Sequence, residues 1–219
     1  MTRSLIFLFF LSLAYPLCAQ PTPVPSDDFA MVNIRDVAPS IVIELRYATN
    51  NNIAGHAIYP ANAQPWVRAG VARRLIAAQK SLREFHYGLK VWDAYRPEKA
   101  QQRLWEVAPN PDFVADPHAN VGSLHTRGAA VDVTLVDEGG HALSMPTDFD
   151  DFTPAAMLNY HGPDENVRRH LSALQWAMSH AGFYGLRTEW WHFTPSDWHR
   201  YLPSATSAML KHAVVVAGQ

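Results

Sequence analysis

The sequence predicts an α+β domain in which a small, largely antiparallel sheet is packed against helices. Two kinds of periodicity support this fold class. Two long stretches repeat apolar residues every three or four positions, as amphipathic helices do, and several shorter stretches alternate apolar with polar residues, as half-buried strands do. The 219 residues, 48% hydrophobic and 17% charged, have the length and composition of one domain with a sizeable core.

The first 19 residues have the layout of a secretory signal peptide. Arg3 precedes an apolar run over 5–13, and the small residue Ala19 provides a cleavage site. The run is shorter than the roughly 20 apolar residues that span a bilayer, which favours a cleaved leader over a membrane anchor. We therefore expect export, removal of residues 1–19 and no stable membrane insertion of the mature protein.

Cysteine content and charge limit the cross-links and partners of the chain. The only cysteine, Cys18, lies inside the predicted leader, so the mature protein would have no thiol and no disulfide. Lipid attachment at Cys18 is an alternative against which the bulky Tyr15 and Leu17 argue. The formal net charge of -2, without any block of Lys or Arg, indicates neither nucleic acid nor an anionic membrane surface as a partner.

After the leader, a proline-rich linker is predicted at 20–28, followed by the folded domain at 29–203 and a C-terminal tail at 204–219. The first strand of the domain is predicted over 41–47, where β-branched residues dominate. This prediction places Tyr47 at a strand end, where the chain enters a loop.

The most regular helical pattern covers 65–86, and alternation over 89–95 predicts a strand after it. A second helix is predicted to begin at Pro97 and to end before Pro109. Arg96 therefore lies at the junction between a strand and a helix, where functional side chains are often displayed.

The second half of the chain begins with a loop over 109–122, which leads to the most clearly alternating strand, at 131–136. An irregular segment rich in Asp covers 145–163. A third helix is predicted over 165–181 and a last, aromatic strand over 189–193.

Two imidazoles and one carboxylate, from His125, Asp132 and His192, form a candidate ligand set for zinc. His125 and Asp132 are seven residues apart, a spacing that would place them on opposite faces of one continuous strand. We therefore expect His125 in a turn, for which Gly128 supplies a permissive backbone. Three protein ligands leave the fourth position for water or a substrate carbonyl, as in hydrolytic zinc sites.

Glu189 is a candidate proton carrier beside this metal. It precedes His192 by three residues, so it can approach the metal without binding it if the strand bulges or twists there. Such a carboxylate can take a proton from the attacking water and deliver it to the leaving amine. Taken singly, each of these residues would be an ordinary polar side chain, but the combination predicts a zinc peptidase.

The chain resembles the zinc D-Ala-D-Ala dipeptidases of the VanX type, within the wider group of D,D-peptidases and hedgehog-like folds. The resemblance covers residues 32 to 202. It rests on the segments Ser123-x-His125-x-x-Gly128-x-Ala130-x-Asp132, Glu189-Trp190-Trp191-His192, Asp93-Ala94-Tyr95-Arg96-Pro97, and Tyr47-Ala48-Thr49 followed by Asn52 and Gly55.

The resemblance implies one Zn²⁺ per chain, held by the three candidate ligands, with Glu189 as the catalytic base. It implies that Arg96 stabilises the oxyanion of the tetrahedral intermediate. It also implies that Asp150, with help from Tyr47 and Ser123, holds the free ammonium group of a dipeptide.

The departures from the family pattern concern the loop after Tyr47 rather than the metal, and the choice of Asp150 is ambiguous. Ile53 and Ala54 stand where the family often has an aromatic residue and a Thr. Asp148 and Asp151 flank Asp150, so the sequence offers three neighbouring carboxylates for one task.

The expected reaction is zinc-dependent hydrolysis of D-Ala-D-Ala, or of a close D,D-dipeptide, during peptidoglycan turnover in the bacterial periplasm or cell envelope. A D,D-carboxypeptidase or endopeptidase acting on longer stems would keep the same metal set, and a non-catalytic, zinc-bearing wall-binding module would keep the ligands alone. Glu189 and Arg96 argue against the module, since a structural zinc site usually closes its fourth position. Asp150 argues against the longer substrates.

Overall fold

The computed structural model describes residues 20–119 and 121–201. The predicted leader, Cys18 and the tail at 204–219 lie outside the described residues, so the expectations about them stay predictions. Within the described part of the chain, no helix combines the length and the apolar character that a membrane span needs.

The described residues form two sheets and four helices, which confirms the α+β class. The strands are β1 (Met31–Asn33), β2 (Val42–Ile43), β3 (Trp66–Arg68), β4 (Gly88–Asp93), β5 (Val131–Val136), β6 (Phe183–Leu186) and β7 (Glu189–Pro195). The helices are α1 (Ile34–Val37), α2 (Ala69–Arg83), α3 (Glu98–Val107) and α4 (Glu165–His180).

The main sheet has the strand order β2-β4-β5-β7-β6, and β1 pairs with β3 in a separate two-stranded sheet. Only the short β2 runs parallel to its neighbour; the other pairs are antiparallel, as the sequence predicted. Helices α2 and α4 contact each other and also contact β4 and β5, respectively. The side chains of Val131, Val133 and Leu135 are fully buried, while Asp132 lines a cavity.

Two local predictions were wrong, both near the start of the domain. The predicted strand over 41–47 is limited to β2, and Arg46–Ala48 forms a 3₁₀ turn. The Tyr47 carbonyl accepts hydrogen bonds from the N–H groups of Ile58 and Tyr59 at 2.9 and 2.8 Å, so a returning loop takes the place of a partner strand.

The long helix begins at Ala69, four residues later than predicted. The preceding residues form β3, in which the completely buried Val67 is paired with Val32. Pairing with a distant segment therefore overrides the helical periodicity, which does not distinguish a buried helical turn from a short buried strand.

Candidate metal centre and substrate cavity

Three acidic or imidazole side chains lie in a row across the main sheet. Asp132 is paired with His192 across β5 and β7, and with Asp93 across β4 and β5. The register of β4 shifts between Val91 and Asp93, so Trp92 is the extra residue. The irregularity re-aims the end of the strand and brings Asp93, rather than Trp92, opposite Asp132.

His125 reaches this row from a turn, as predicted. It begins a 3₁₀ turn that ends at Gly128, whose φ is 68°. The positive backbone angle favours glycine, and a Cβ there would also displace the end of the flexible Met31 side chain, which lies at 2.9 Å. The turn is joined to the end of β4, because the Arg96 N–H donates to the His125 carbonyl at 3.1 Å.

The three predicted ligand atoms lie within metal-binding distance of one another. His192 Nδ1 is 3.0 Å from Asp132 Oδ1, and His125 Nε2 is 3.2 Å from His192 Nδ1 and 3.4 Å from Asp132 Oδ1. Zinc bonds of 2.0–2.2 Å in a tetrahedron imply separations of roughly 3.3 Å between ligand atoms. The residues therefore fit a zinc ion, and this group could hold one.

Hydrogen bonds at the far side of each ring support the same arrangement. His125 Nδ1 lies 2.8 Å from the Ala94 carbonyl, and His192 Nε2 lies 3.2 Å from Thr194 Oγ1. A carbonyl oxygen only accepts, so His125 Nδ1 carries the proton and Nε2 keeps its lone pair for a metal. The Thr194 hydroxyl can accept a hydrogen bond from His192 Nε2, and in that tautomer Nδ1 is free in the same way.

Glu189 approaches the ligands through an irregularity in the pairing of β7. In the β6–β7 pair, Gly185 faces Phe193 but the next residue, Leu186, faces Glu189, so β7 carries extra residues between these positions. Glu189 Oε2 lies 4.0 Å from His192 Nδ1. The buried Oε1 has no hydrogen-bond partner among the described residues.

Burial, reinforced by the negative charges of Asp132 and Asp150, raises the pKa of Glu189 well above its ordinary value. General acid–base catalysis needs a carboxyl group that is more basic than usual, and the direction of this shift agrees with that role.

Arg96 is buried beside the same row and is held by Asp93. Its Nε and Nη2 donate to Asp93 Oδ2 at 3.0 and 2.7 Å, and its guanidinium carbon lies 4.8 Å from the centre of the Tyr47 ring. Burial alone would lower the pKa of Arg96, but the surrounding groups, first Tyr47 and then Asp93, raise it well above the ordinary value. Arg96 therefore remains a cation.

The hydrogen bonds around Arg96 include residues that the sequence reasoning missed. Tyr59 donates its hydroxyl to Asp93 Oδ1 at 2.6 Å, and Gln101 accepts from Arg96 Nη1 at 2.9 Å. In the sequence, Asp93 is recognisable only as part of a motif. A carboxylate three residues before an Arg at a strand-to-helix junction is a signal that could have predicted their ion pair. Tyr59 and Gln101 carry no comparable local signal.

Asp150 lies on the cavity with its carboxylate largely occupied by the loop after Tyr47. Its Oδ1 accepts from the Tyr47 hydroxyl at 3.1 Å, and its Oδ2 accepts from the Ile53 N–H at 3.0 Å. The contact at Ile53 uses the backbone N–H, so it does not depend on the side chain that departs from the family pattern. Burial raises the pKa of Asp150 to about 7, although the Ile53 N–H and the Arg96 charge act in the opposite direction.

The structure distinguishes Asp150 from its two neighbours. Asp148 is largely exposed and pairs with Arg46 at 3.1 Å, and neither Asp148 nor Asp151 lines the cavity. Ser123 accepts from the His125 N–H at 3.3 Å, which places its hydroxyl beside the candidate ligands, whereas Tyr47 contacts Asp150 directly.

All of the predicted site residues line one cavity of about 450 Å³. They are Tyr47, Arg96, Ser123, His125, Asp132, Asp150, Glu189 and His192. The remaining wall is mainly apolar, and in it the rings of Phe113 and Phe152 stack with centroids 4.6 Å apart. The cavity therefore combines a metal-binding group, two further buried carboxylates and one buried cation.

Comparison with known proteins gives concordant matches. A family model described as D-Ala-D-Ala dipeptidase (Peptidase M15) matches residues 27–211. The D-alanyl-D-alanine dipeptidase of Escherichia coli (strain K12) is 35% identical over 168 residues, covering 77% of this chain and 86% of that protein. The D-alanyl-D-alanine dipeptidase of Streptomyces coelicolor is 30% identical over 197 residues, covering 76% and 91%.

A solved structure is more distantly similar. It is a mutant of the vancomycin resistance D,D-pentapeptidase VanY in complex with Zn(II), at 16% identity and a TM-score of 0.42, covering 63% of this chain and 81% of that one.

Proposed function

This chain belongs to the Peptidase M15 family of D-Ala-D-Ala dipeptidases, and we propose that it is a zinc metallopeptidase that hydrolyses D-Ala-D-Ala, or a close D,D-dipeptide, to free amino acids in cell-wall metabolism. The observation that carries this proposal is the convergence of three ligand atoms, a buried carboxylate and a buried arginine on one cavity. A metal-binding module without activity has no need of the last two groups.

His125 Nε2, Asp132 Oδ1 and His192 Nδ1 are the ligands that would hold one zinc ion. When bound there, zinc would supply Lewis-acid chemistry: it would polarise the scissile carbonyl and lower the pKa of the attacking water. The hydrogen bonds to Ala94 and Thr194 fix both imidazole rings for this task.

Glu189 is the proton carrier of the reaction. Its raised pKa suits a group that takes a proton from water and returns it to the leaving amine. Because Oε1 has no hydrogen-bond partner among the described residues, that oxygen can receive the proton without breaking an existing hydrogen bond.

Arg96 stabilises the negative charge that develops on the substrate oxygen. Asp93 and Gln101 hold the guanidinium before substrate binds, so little reorganisation is needed during the reaction.

Asp150 binds the free ammonium group of the dipeptide, and Tyr47 orients its carboxylate. A longer peptide presents a neutral amide where the dipeptide presents its ammonium group. The carboxylate would then keep its hydrogen bonds to Tyr47 and Ile53 but would have no cationic partner, so charge complementarity favours the free dipeptide over longer peptides.

Product analysis with three substrates tests the function. Wild-type protein loaded with zinc should hydrolyse D-Ala-D-Ala and should largely ignore both N-acetyl-D-Ala-D-Ala and a pentapeptide stem. Equal rates on the free and acetylated dipeptides would refute the ammonium site and favour the D,D-carboxypeptidase. Binding without turnover of any of the three would favour the wall-binding module.

We also propose that the protein is exported to the bacterial periplasm or cell envelope. The charged start, the apolar run over 5–13 and the small residue at 19 support a cleaved leader. Mass spectrometry of the protein recovered from the envelope fraction should give a mature chain that begins at Gln20; a chain starting at Met1 and confined to the cytosol would refute export.

A further inference from the structure

Gln101 connects the buried arginine to the wall of the cavity. It lies on α3 with 1% of its surface exposed. Its Oε1 accepts from Arg96 Nη1 at 2.9 Å, and its Nε2 donates to the Ala115 carbonyl at 2.7 Å. Because a guanidinium only donates and a carbonyl only accepts, these partners fix the orientation of the amide.

Asp93 by itself leaves Arg96 one degree of freedom. Both Arg96 Nε and Nη2 donate to the same oxygen, Asp93 Oδ2, since Oδ1 accepts from the Tyr59 hydroxyl. A guanidinium held at a single acceptor atom can pivot about that atom. The Tyr47 ring, 4.8 Å from the guanidinium carbon, and Asp132 Oδ2, 3.8 Å from Nη2, add contacts but no hydrogen bond. The Gln101 bond to Nη1 is therefore the second hydrogen-bonded anchor, and it limits the pivot.

The two anchors also determine which N–H groups face the substrate. A guanidinium has five N–H groups, of which three are used here, two by Asp93 and one by Gln101. One N–H on Nη1 and one on Nη2 remain, and Nη2 also lies 3.8 Å from Asp132 Oδ2, beyond hydrogen-bond distance. Their directions depend on the rotation that Gln101 fixes.

We propose that Gln101 is a positioning residue for the reaction, which sets the angle of the Arg96 guanidinium toward the oxyanion and, through the same amide, holds the cavity wall at Ala115. This inference rests on the proposed function of Arg96. Gln is suited to both tasks because a Glu at this position would accept from Arg96 but could not donate to a carbonyl.

Thr188 provides a matched control. Its hydroxyl donates to the Asp112 carbonyl at 3.0 Å, so it holds the same wall three residues away. Among the described residues this is its only side-chain hydrogen bond, and it does not involve Arg96. Thr188→Val therefore loosens the wall alone, whereas Gln101→Met loosens the wall and releases Arg96.

The experiment compares Gln101→Met, Gln101→Glu and Thr188→Val with wild type in kcat and KM for D-Ala-D-Ala. It also measures the affinity for a phosphinate dipeptide, whose tetrahedral, anionic centre mimics the transition state. We expect Gln101→Met to lower both kcat and phosphinate affinity by about ten- to hundredfold, as for a lost hydrogen bond to a charged group. Gln101→Glu should recover most of the kcat, and Thr188→Val should change KM alone.

Unchanged kcat in Gln101→Met, or an equal loss of kcat in Thr188→Val, would refute the positioning role. Wild-type protein that hydrolyses no D,D-dipeptide would instead refute the proposed function. If Gln101→Met does not fold, Gln101→Asn replaces it, with the same amide on a shorter side chain, and is expected to lower kcat and phosphinate affinity as well. Wild-type values for both would then overturn the proposal.

Discussion

The cavity has a metal end, with the buried Asp132, and an ammonium end, with the buried Asp150. The pKa values of these two aspartates shift in opposite directions. At the metal end burial would raise the pKa of Asp132, but the adjacent imidazoles of His125 and His192 lower it well below the ordinary value. At the other end, burial dominates and the pKa of Asp150 rises to about 7. Burial alone therefore does not determine the charge of a buried carboxylate; its immediate partners do.

The two ends also differ in the backbone that carries them. Asp132 and His192 are cross-strand partners in a regular sheet, so their geometry exists before any ligand binds. Asp150 lies in an irregular segment with φ at 58°, a conformation that is uncommon for a residue other than glycine. Strand pairing thus organises Asp132 and His192 at the metal end, whereas an irregular segment carries Asp150 at the ammonium end. A substrate cation would stabilise the negative form of Asp150.

Removing a metal ligand should have the largest effect on activity. It should abolish zinc binding, whereas a substitution at the ammonium end should not. His125→Ala is expected to lose the bound zinc, about one per chain in the wild type, and with it all measurable hydrolysis, because three protein ligands define the site. Asp150→Asn, which alters only the other end, should retain the zinc. Metal analysis of both dialysed variants checks this, and full occupancy in His125→Ala would disprove the ligand assignment.

Glu189→Gln tests whether the proton carrier belongs to the chemistry rather than to metal binding. The amide keeps the shape but cannot transfer protons, so kcat should fall by about 10²–10⁴-fold while zinc is retained. Steady-state kinetics with zinc analysis on the same sample decide the point. Near-normal turnover would mean that another group supplies the base.

The raised pKa of Asp150 predicts a pH-dependent stability difference. An Asp titrates near 3.9 in the unfolded chain and here at about 7 in the folded one. Between these values the folded state binds more protons, so its stability falls as the pH rises through this window and levels off above it. Asp150→Asn lacks this loss, and its stability relative to wild type should increase by on the order of 4 kcal/mol across the window.

Urea unfolding of both proteins in a chelator, at about pH 4 and about pH 7.5, measures this difference without metal. A difference that stays constant with pH would show that the carboxylate at the ammonium end is not destabilised by burial, and the contrast with Asp132 would disappear.

The smallest expected effect concerns the hydrogen bond behind His192. Thr194→Val removes the acceptor of Nε2, so zinc affinity should fall by about 10–100-fold while kcat at saturating zinc changes little. Competition with a chelator of known affinity measures the change. Wild-type affinity would indicate that strand pairing alone orients the ring.

The sequence determined those features of the protein that depend on local spacing. The alternation over 131–136 predicted β5 with its bounds, because the period of two in a strand is a property of neighbouring residues. The odd spacing of His125 and Asp132 required a turn, which is confirmed. The approach of Glu189 to the metal depended on a bulge or twist that the sequence could not show, and the strand register provides it. Each conclusion follows because the backbone between residues close in sequence limits the directions in which their side chains can point.

Only the tertiary structure decided which distant residues meet. It selected Asp150 from three carboxylates by bringing it to Tyr47, 103 residues earlier in the chain. It also joined Gln101 to Arg96 and placed Asp93 opposite Asp132 through a shift in strand register. Periodicity carries no information about strand register or long-range partners, since these depend on how the whole chain closes around its core.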